Sequence, residues 1–131
     1  MSLTSALMTL QRWMHGTRSV IARELGLTVQ QIELLCVLHN HKPSFGELAG
    51  LLGCDKTNVT GMVDRLTRLG LVTREADPRD RRISRPSLTD EGGAVGERVR
   101  EAFVRAVAER WSGVSPRDRA RLARLIDTDR V

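Results

Sequence analysis

The chain has 131 residues, 40% hydrophobic and 28% charged, a composition typical of one globular domain with one modest core. Its net charge of +5 and sequence pI of about 10.5 favour nucleic acid or an anionic surface as a partner. Two cysteines are too few for a disulfide-stapled secreted domain, and 3% aromatic residues are too few for a protein that stacks single-stranded bases.

The N-terminal segment predicts a helix. Apolar residues recur at helical spacing from Thr4 to Leu25, Gly26 supplies a C-terminal stop, and Gly16 inside the segment could bend the helix. The segment lacks a basic leader followed by an apolar block, so we expect no secretion signal and a cytoplasmic location. No apolar run approaches the ~18 residues that a membrane span requires, so no membrane partner is predicted.

Three shorter helices are predicted over the middle of the chain, each with a recognisable cap. Thr28 and Ser44 begin capping-box patterns, because Gln31 and Glu47 follow three residues later. Asp55 caps the fourth helix, which stops near Gly70. The apolar stripe of that helix consists of Val59, Met62, Val63, Leu66 and Leu69.

A β-hairpin is predicted after the fourth helix. Residues 71–76 favour one strand and residues 82–89 the return strand, with an arginine-rich loop between them. Pro86 lies inside the return strand, where proline is tolerated at an edge, and we expect a local break in pairing there.

Two helices complete the chain. Thr89 caps a long helix, and Ser115 followed by Pro116 begins the last one. The predicted fold is therefore mainly α, with six helices plus a two-stranded β-hairpin wing, in the order of a winged helix-turn-helix with flanking helices. We expect a single domain over residues 1–131, in which 28–88 form the winged helix-turn-helix DNA-binding region.

The flanking segments, 1–27 and 89–131, are predicted to be dimerisation helices. Their apolar stripes are longer than one small core can absorb, and two tryptophans need cover. A two-fold dimer would also place two recognition helices roughly 34 Å apart, one turn of DNA. The predicted dimer contacts are Leu7, Leu10, Trp13, Met14, Val107, Trp111, Leu122, Leu125 and Ile126.

The candidate DNA contacts lie on the fourth helix and the hairpin. Amide and guanidinium groups on that helix could pair with base edges in a major groove, although taken alone the face would suit plain solvation. Arginines on a narrow tip suit a minor groove, where Asp80 could hold Arg82 extended, and Arg85 on the return strand could take a phosphate. The predicted contacts are Ser44, Lys56, Thr57, Asn58, Thr60, Gly61, Arg65, Arg74, Arg79, Asp80, Arg81 and Arg82.

One motif resembles a known family. The run Asp80-x-Arg82, five residues, Leu88-Thr89, two residues, Gly92 resembles the wing signature of the MarR family of bacterial transcriptional regulators. The preceding "GMVDRLTRLGLVTRE" is similar to that family's recognition helix and first wing strand. The resemblance covers nearly the whole chain. It implies a triangular homodimer on a palindromic double-stranded operator, with Arg82 in the minor groove and Asp80 as its holder. The recognition-helix contacts that it implies are Lys56, Thr57, Asn58, Thr60 and Arg65.

The resemblance also implies an effector, since family members often respond to small aromatic acids, metals or oxidants. A small-molecule pocket would lie between the dimer helices and the winged helix. The residues expected near it are Trp13, Met14, His15 and Met62.

Metal and redox sites are weaker alternatives. The candidate metal ligands are Glu33, Cys36, His39 and His41. Because Cys36 and His39 share the apolar stripe of the second helix, core packing is the preferred interpretation, and no metal or cofactor is predicted. Cys54 precedes the fourth helix, where a helix N-terminus can lower a thiol pKa, but packing is again preferred.

The sequence therefore predicts a sequence-specific DNA-binding transcriptional regulator, a dimeric repressor relieved by a small-molecule or other effector. The alternative is a winged-helix protein-interaction adaptor, which would not need three arginines at the wing tip. No Ser-His-Asp set, phosphate loop or paired carboxylates point to an enzyme.

Overall fold

A computed structural model describes residues 1–127, which form six α-helices and one two-stranded antiparallel sheet. The helices are α1 (Leu3–Leu25), α2 (Val29–Asn40), α3 (Phe45–Leu52), α4 (Lys56–Arg68), α5 (Asp90–Arg110) and α6 (Pro116–Ile126). The hairpin between α4 and α5 consists of β1 (Val72–Ala76) and β2 (Ser84–Leu88). The predicted fold class is confirmed. Residues 128–131 of the predicted dimerisation segment lie outside the described part of the chain.

The helix boundaries follow from local capping interactions. At α2, the Gln31 N–H donates to Thr28 Oγ1 at 3.1 Å while the Thr28 N–H donates to Gln31 Oε1 at 3.0 Å, which completes the predicted capping box. Asp55 Oδ1 accepts the Asn58 N–H at 2.8 Å and so begins α4. Gly26, with φ of 68°, ends α1 as predicted, whereas α1 continues through Gly16 as one helix.

Two apolar clusters form the core. The smaller joins α1, α2 and α5 through Ile21, Ala22, Ile32 and Val99. The larger lies beneath the winged helix and contains Leu34, Leu35, Leu38, Leu48, Ala49, Val59, Met62, Val63, Leu66, Leu71 and Val72.

The predicted apolar stripe of α4 is correct except at its last residue. Leu69 is 54% exposed, although helical spacing placed it on the buried face. Leu69 is the C-cap of α4 and keeps a right-handed backbone conformation, so its side chain stays on the stripe, but it lies at the rim of the core, where it lines an open cleft with Leu71 and Val95.

The hairpin pairs without interruption from Val72–Leu88 to Ala76–Ser84, so the expected break at Pro86 is wrong. Beyond one end of this ladder, the Asp77 N–H donates to the Ile83 carbonyl at 2.8 Å. Since bonded and non-bonded pairs alternate in an antiparallel ladder, the Arg74–Pro86 pair is a non-bonded one. The missing N–H of Pro86 therefore removes no hydrogen bond from the ladder.

A tight junction connects the end of α4, the wing and the start of α5. Thr89 Oγ1 donates to the Gly70 carbonyl at 2.6 Å and accepts the Gly92 N–H at 3.0 Å, while the Thr89 N–H donates to the Leu71 carbonyl at 3.1 Å. A Cβ atom on Gly92 would collide with that same Leu71 carbonyl. Glycine at this position therefore allows α5 to pack directly against the backbone that leads into the wing.

The terminal helices leave an apolar surface uncovered. No residue of α6 over 116–126 is buried, and apolar side chains of α1 and α5 are also exposed. The exposed apolar side chains of these three helices are Leu3, Leu7, Met8, Val20, Val104, Val107, Leu122, Leu125 and Ile126.

No helix within residues 1–127 is both long enough and apolar enough to cross a membrane.

Candidate nucleic-acid interface

The wing tip presents an arginine held by a carboxylate. Arg82 Nε and Nη2 donate to the two oxygens of Asp80, each at 3.1 Å, and the Arg82 N–H donates to Asp80 Oδ1 at 3.1 Å. The Arg82 side chain is nevertheless 90% exposed. The Arg82 side chain and backbone N–H hold the pKa of Asp80 below its usual range, so the pair is ionised at neutral pH. Arg82 is thus both oriented and open to a partner.

Two further arginines lie at the tip. Arg79 and Arg81 are exposed and flank Asp80 in the loop between the strands. Together with Arg82, they place three guanidinium groups on one narrow projection. Such a concentration of positive charge attracts polyanions.

The outward face of α4 carries most of the other predicted contacts. The exposed members are Lys56, Thr57, Asn58 and Arg65. Thr60 and Gly61 are half-buried. Asn58 Nδ2 donates to Asp55 Oδ2 at 3.3 Å, and Thr60 Oγ1 donates to the Lys56 carbonyl at 2.9 Å. The helix cap therefore fixes the Asn58 side chain. Lys56 and Arg65 project exposed cationic side chains from the same helix.

A groove brings α3, α4 and the hairpin together. It has a volume of about 470 Å³, and its lining includes Ser44, Lys56, Thr60 and Arg74, all of which are predicted contacts. Two cations and two hydroxyl-bearing side chains along one open groove suit a chain of phosphates.

Arg74 lies in this groove but also has partners within the protein. Its Nη2 donates to Asp64 Oδ1 of α4 at 2.8 Å, and its guanidinium lies 4.9 Å from the centre of the Phe45 ring. These contacts connect β1 to both helices of the helix-turn-helix. Arg74 therefore has a structural role that the sequence did not indicate.

Arg85, expected to take a phosphate, is instead used inside the protein. Its Nε donates to Asp77 Oδ2 at 2.5 Å and its Nη1 to the Lys42 carbonyl at 2.7 Å. Asp77 is buried, at 4% exposure. The sequence placed Arg85 on the return strand as a phosphate contact, and no local pattern indicated that Asp77 would be buried against it.

The residues expected around an effector pocket are only partly brought together. A cleft of about 440 Å³ lies between α1, α2, α3 and α5, and Met14 lines it as expected. Met62 is buried in the core instead, and Trp13 packs edge-on against Trp111 with 5.1 Å between ring centres. His15 is exposed. The residues lining the cleft are Met14, Arg18, Glu33, Cys36, Val37, Leu51, Leu52 and Phe103.

The alternative metal and redox residues are dispersed. Cys36 lines the cleft, and burial raises the pKa of its thiol, while Cys54 is half-buried against the larger cluster. His39 Nε2 lies 3.4 Å from Glu97 Oε2, and His41 is exposed. Within residues 1–127, no group of three or more His, Cys, Asp or Glu side chains is arranged to hold a metal ion.

Comparisons with known proteins agree with this geometry. The sequence profile of the MarR family matches residues 27–84. YkoM of Bacillus subtilis, described as an uncharacterised HTH-type transcriptional regulator, is 28% identical over 113 residues, covering 86% of this chain and 72% of YkoM. BadR of Rhodopseudomonas palustris, named a transcriptional activatory protein, is 37% identical over 95 residues, covering 70% of this chain and 53% of BadR.

A solved structure extends the likeness to almost the whole chain. RV1404 of Mycobacterium tuberculosis superposes with a TM-score of 0.77 at 31% identity, covering 95% of this chain and 86% of that one. The match therefore includes the flanking helices as well as the winged helix. The profile, the relatives and the shared architecture together show that the chain belongs to the MarR family of winged helix-turn-helix transcriptional regulators.

Proposed function

We propose that this protein is a homodimeric repressor that binds a palindromic DNA operator and is released by a small-molecule effector. The observation that carries DNA binding is the exposed, carboxylate-held Arg82 on a wing that shares a groove with α4. An arginine that is already oriented loses less conformational entropy on binding than a free one. Arg82 would enter the minor groove while the outward face of α4 lies in the adjacent major groove.

The exposed apolar surface of α1, α5 and α6 supports a dimer. Leu125 and Ile126 of α6 are 67% and 51% exposed, a poor arrangement for apolar side chains in a monomer. A second copy applied by two-fold symmetry would cover them and present two winged helices to successive turns of DNA. Trp13 and Trp111 already cover each other. The guanidinium carbon of Arg110 lies 4.9 Å from the centre of the Trp13 ring and 5.2 Å from that of Trp111. This group of side chains would form the edge of the dimer contact.

The names of relatives include both a repressor and an activator of transcription. NicR of Pseudomonas putida, 39% identical over 70 residues, is named a transcriptional repressor, whereas BadR is named an activatory protein. Repression is the simpler proposal, because a dimer on an operator would exclude other proteins from the same DNA. Repression also requires no surface that recruits a partner.

The cleft at Met14 supports an effector. It combines apolar walls from Met14 and Phe103 with Arg18, whose Nη1 lies 3.9 Å from Glu33 Oε1 in a weak ion pair. A small carboxylate with an apolar or aromatic body could displace Glu33 from Arg18. Because the cleft borders both the terminal helices and α3, an occupant would change the spacing of the two winged helices in a dimer.

Selection from genomic DNA tests the proposed function. Purified protein is mixed with sheared genomic fragments at moderate and high salt, and the bound fragments are sequenced. We expect an enriched inverted repeat whose half-sites lie about one helical turn apart, and binding that weakens steeply with salt. Salt-sensitive binding without an enriched repeat would instead favour the adaptor function. A panel of substituted benzoates, added to the complex with an enriched fragment, then tests release.

Dimerisation gives a separate prediction. Leu125→Asp should raise the dimer dissociation constant by about 100-fold or more, since it would bury an unpaired charge in an apolar contact. Sedimentation velocity over a range of concentrations measures this shift. Leu51→Asp is the matched control, because Leu51 is 57% exposed but lies on α3. An unchanged dimer in Leu125→Asp would contradict the proposed interface.

A further inference from the structure

Asp77 organises the base of the wing. It is the one buried charged residue within residues 1–127, and both of its carboxylate oxygens accept hydrogen bonds. Oδ1 accepts the Arg79 N–H at 2.7 Å and Oδ2 accepts Arg85 Nε at 2.5 Å, while the Asp77 N–H donates to the Ile83 carbonyl at 2.8 Å. The Arg79 N–H, followed by the Arg85 guanidinium, holds the pKa of Asp77 below its usual range. The carboxylate is therefore a charged anchor with fixed geometry.

Arg85 extends this anchor to the helices. The same guanidinium that binds Asp77 donates through Nη1 to the Lys42 carbonyl at 2.7 Å and lies 3.8 Å from Glu47 Oε1. Lys42 is in the connection between α2 and α3, and Glu47 is in the first turn of α3. One planar group thus joins the wing to two other elements, which a point charge on a flexible stem could not do with the same geometry.

The two strands use opposite faces for their contacts with the helices. Arg85 pairs with Glu75 in the register and the neighbouring pair is Arg74–Pro86, so Arg85 and Arg74 project from opposite faces of the hairpin. Arg74 faces the groove beside α4, where a phosphate could reach it, and Arg85 faces the connection before α3. The wing is therefore held from both sides: the Arg74 side borders the groove beside α4, while on the other side the Arg85 guanidinium is occupied by Asp77 and the Lys42 carbonyl.

We propose that Asp77 and Arg85 form a latch that sets the direction of the wing, so that Arg85 positions Arg82 for DNA without contacting DNA itself. This inference rests on the proposed DNA-binding function. The tip is coupled to the latch because the Asp77 N–H donates to the Ile83 carbonyl and the Ile83 N–H donates to the Asp80 carbonyl at 3.0 Å. A small rotation at the base would displace the guanidinium of Arg82 at the far end.

The first test needs no DNA. Amide hydrogen exchange is compared between the wild type, Arg85→Met and Arg81→Met, which removes an exposed arginine from the same loop. In Arg85→Met we expect the Arg79 amide to exchange about tenfold faster or more, because its acceptor Asp77 loses its partner, while the Val63 amide in α4 is unchanged. Arg81→Met should match the wild type. Unchanged exchange at Arg79 in Arg85→Met would overturn the latch, whether or not the protein binds DNA.

A milder pair of variants covers the case in which Arg85→Met does not fold. Asp77→Asn keeps the acceptor for the Arg79 N–H but loses the charge, and Arg85→Lys keeps the charge but not the planar fork. Relative to the wild type, both variants should increase the rate at which the Ile83 amide exchanges, because each weakens the bond between Asp77 and Arg85. Wild-type exchange in both variants would count against the latch.

The second test separates positioning from contact by a double-mutant cycle on an enriched operator fragment. Arg85→Met alone should weaken binding by about tenfold, but by less than about twofold in an Arg82→Ala background, because its effect passes through Arg82. An equal loss in both backgrounds would identify Arg85 as an independent phosphate contact and overturn the proposal. If the wild type binds no specific fragment, the proposed function fails while the exchange experiment still decides the latch.

Discussion

Replacing Arg82 with alanine is expected to weaken operator binding by about 10- to 100-fold, which corresponds to roughly 1–3 kcal/mol. Arg82 is 90% exposed and held in position by both oxygens of Asp80, so its removal deletes an oriented cation without disturbing the core. Fluorescence anisotropy with a labelled operator fragment measures the affinity. The measurement is repeated at several salt concentrations for the wild type and for Arg82→Ala. The slope of log K against log salt should be less steep in the variant by about 1.

Two variants control for this result. Asp80→Asn leaves the charge of Arg82 but removes its ionic partner, so we expect a smaller loss of affinity and a nearly unchanged salt slope. Arg124→Ala makes the same charge change on the exposed surface of α6 and should leave binding close to wild type. If Arg82→Ala behaves like Arg124→Ala, the wing does not enter a groove and the adaptor function gains support.

Gly92→Ala should destabilise the fold by about 3 kcal/mol. The added Cβ would collide with the Leu71 carbonyl, and a backbone group cannot move aside as a flexible side chain can. Relief would require α5 to separate from the wing junction, at the expense of the Thr89 hydrogen bonds to Gly70 and Leu71. Urea unfolding followed by tryptophan fluorescence, at one fixed protein concentration, measures the change in the free energy of unfolding.

The neighbouring residue offers a matched control. A Cβ on Gly93 would have no atom within 4 Å, so Gly93→Ala lies in the same turn of α5 without the collision. Alanine there should stabilise the helix by about 0.5–1 kcal/mol, because glycine loses more backbone freedom on folding. Opposite signs at adjacent glycines would establish the close junction, and equal effects would contradict it.

Interactions between near neighbours in the chain were predictable from sequence. The caps at Thr28 and Asp55 satisfy an N–H three residues later, so the start of each helix depends on a few adjacent residues. The pairing of Asp80 with Arg82 spans two residues and is equally local. The buried stripe of α4 follows from helical periodicity up to Leu66, the last buried position before the helix ends.

The tertiary structure decided the features that depend on distant residues. The bond from Arg85 to the Lys42 carbonyl crosses 43 positions, and no local pattern distinguishes Arg85 from the arginines that stay in solvent. Asp77 is buried because the wing folds back on the connection before α3, a consequence of packing and not of composition. The amino-acid sequence by itself determined the order and limits of the elements, through caps and periodicity. Only their packing determined which charged groups remain exposed as candidate DNA contacts, because burial and pairing depend on contacts between elements.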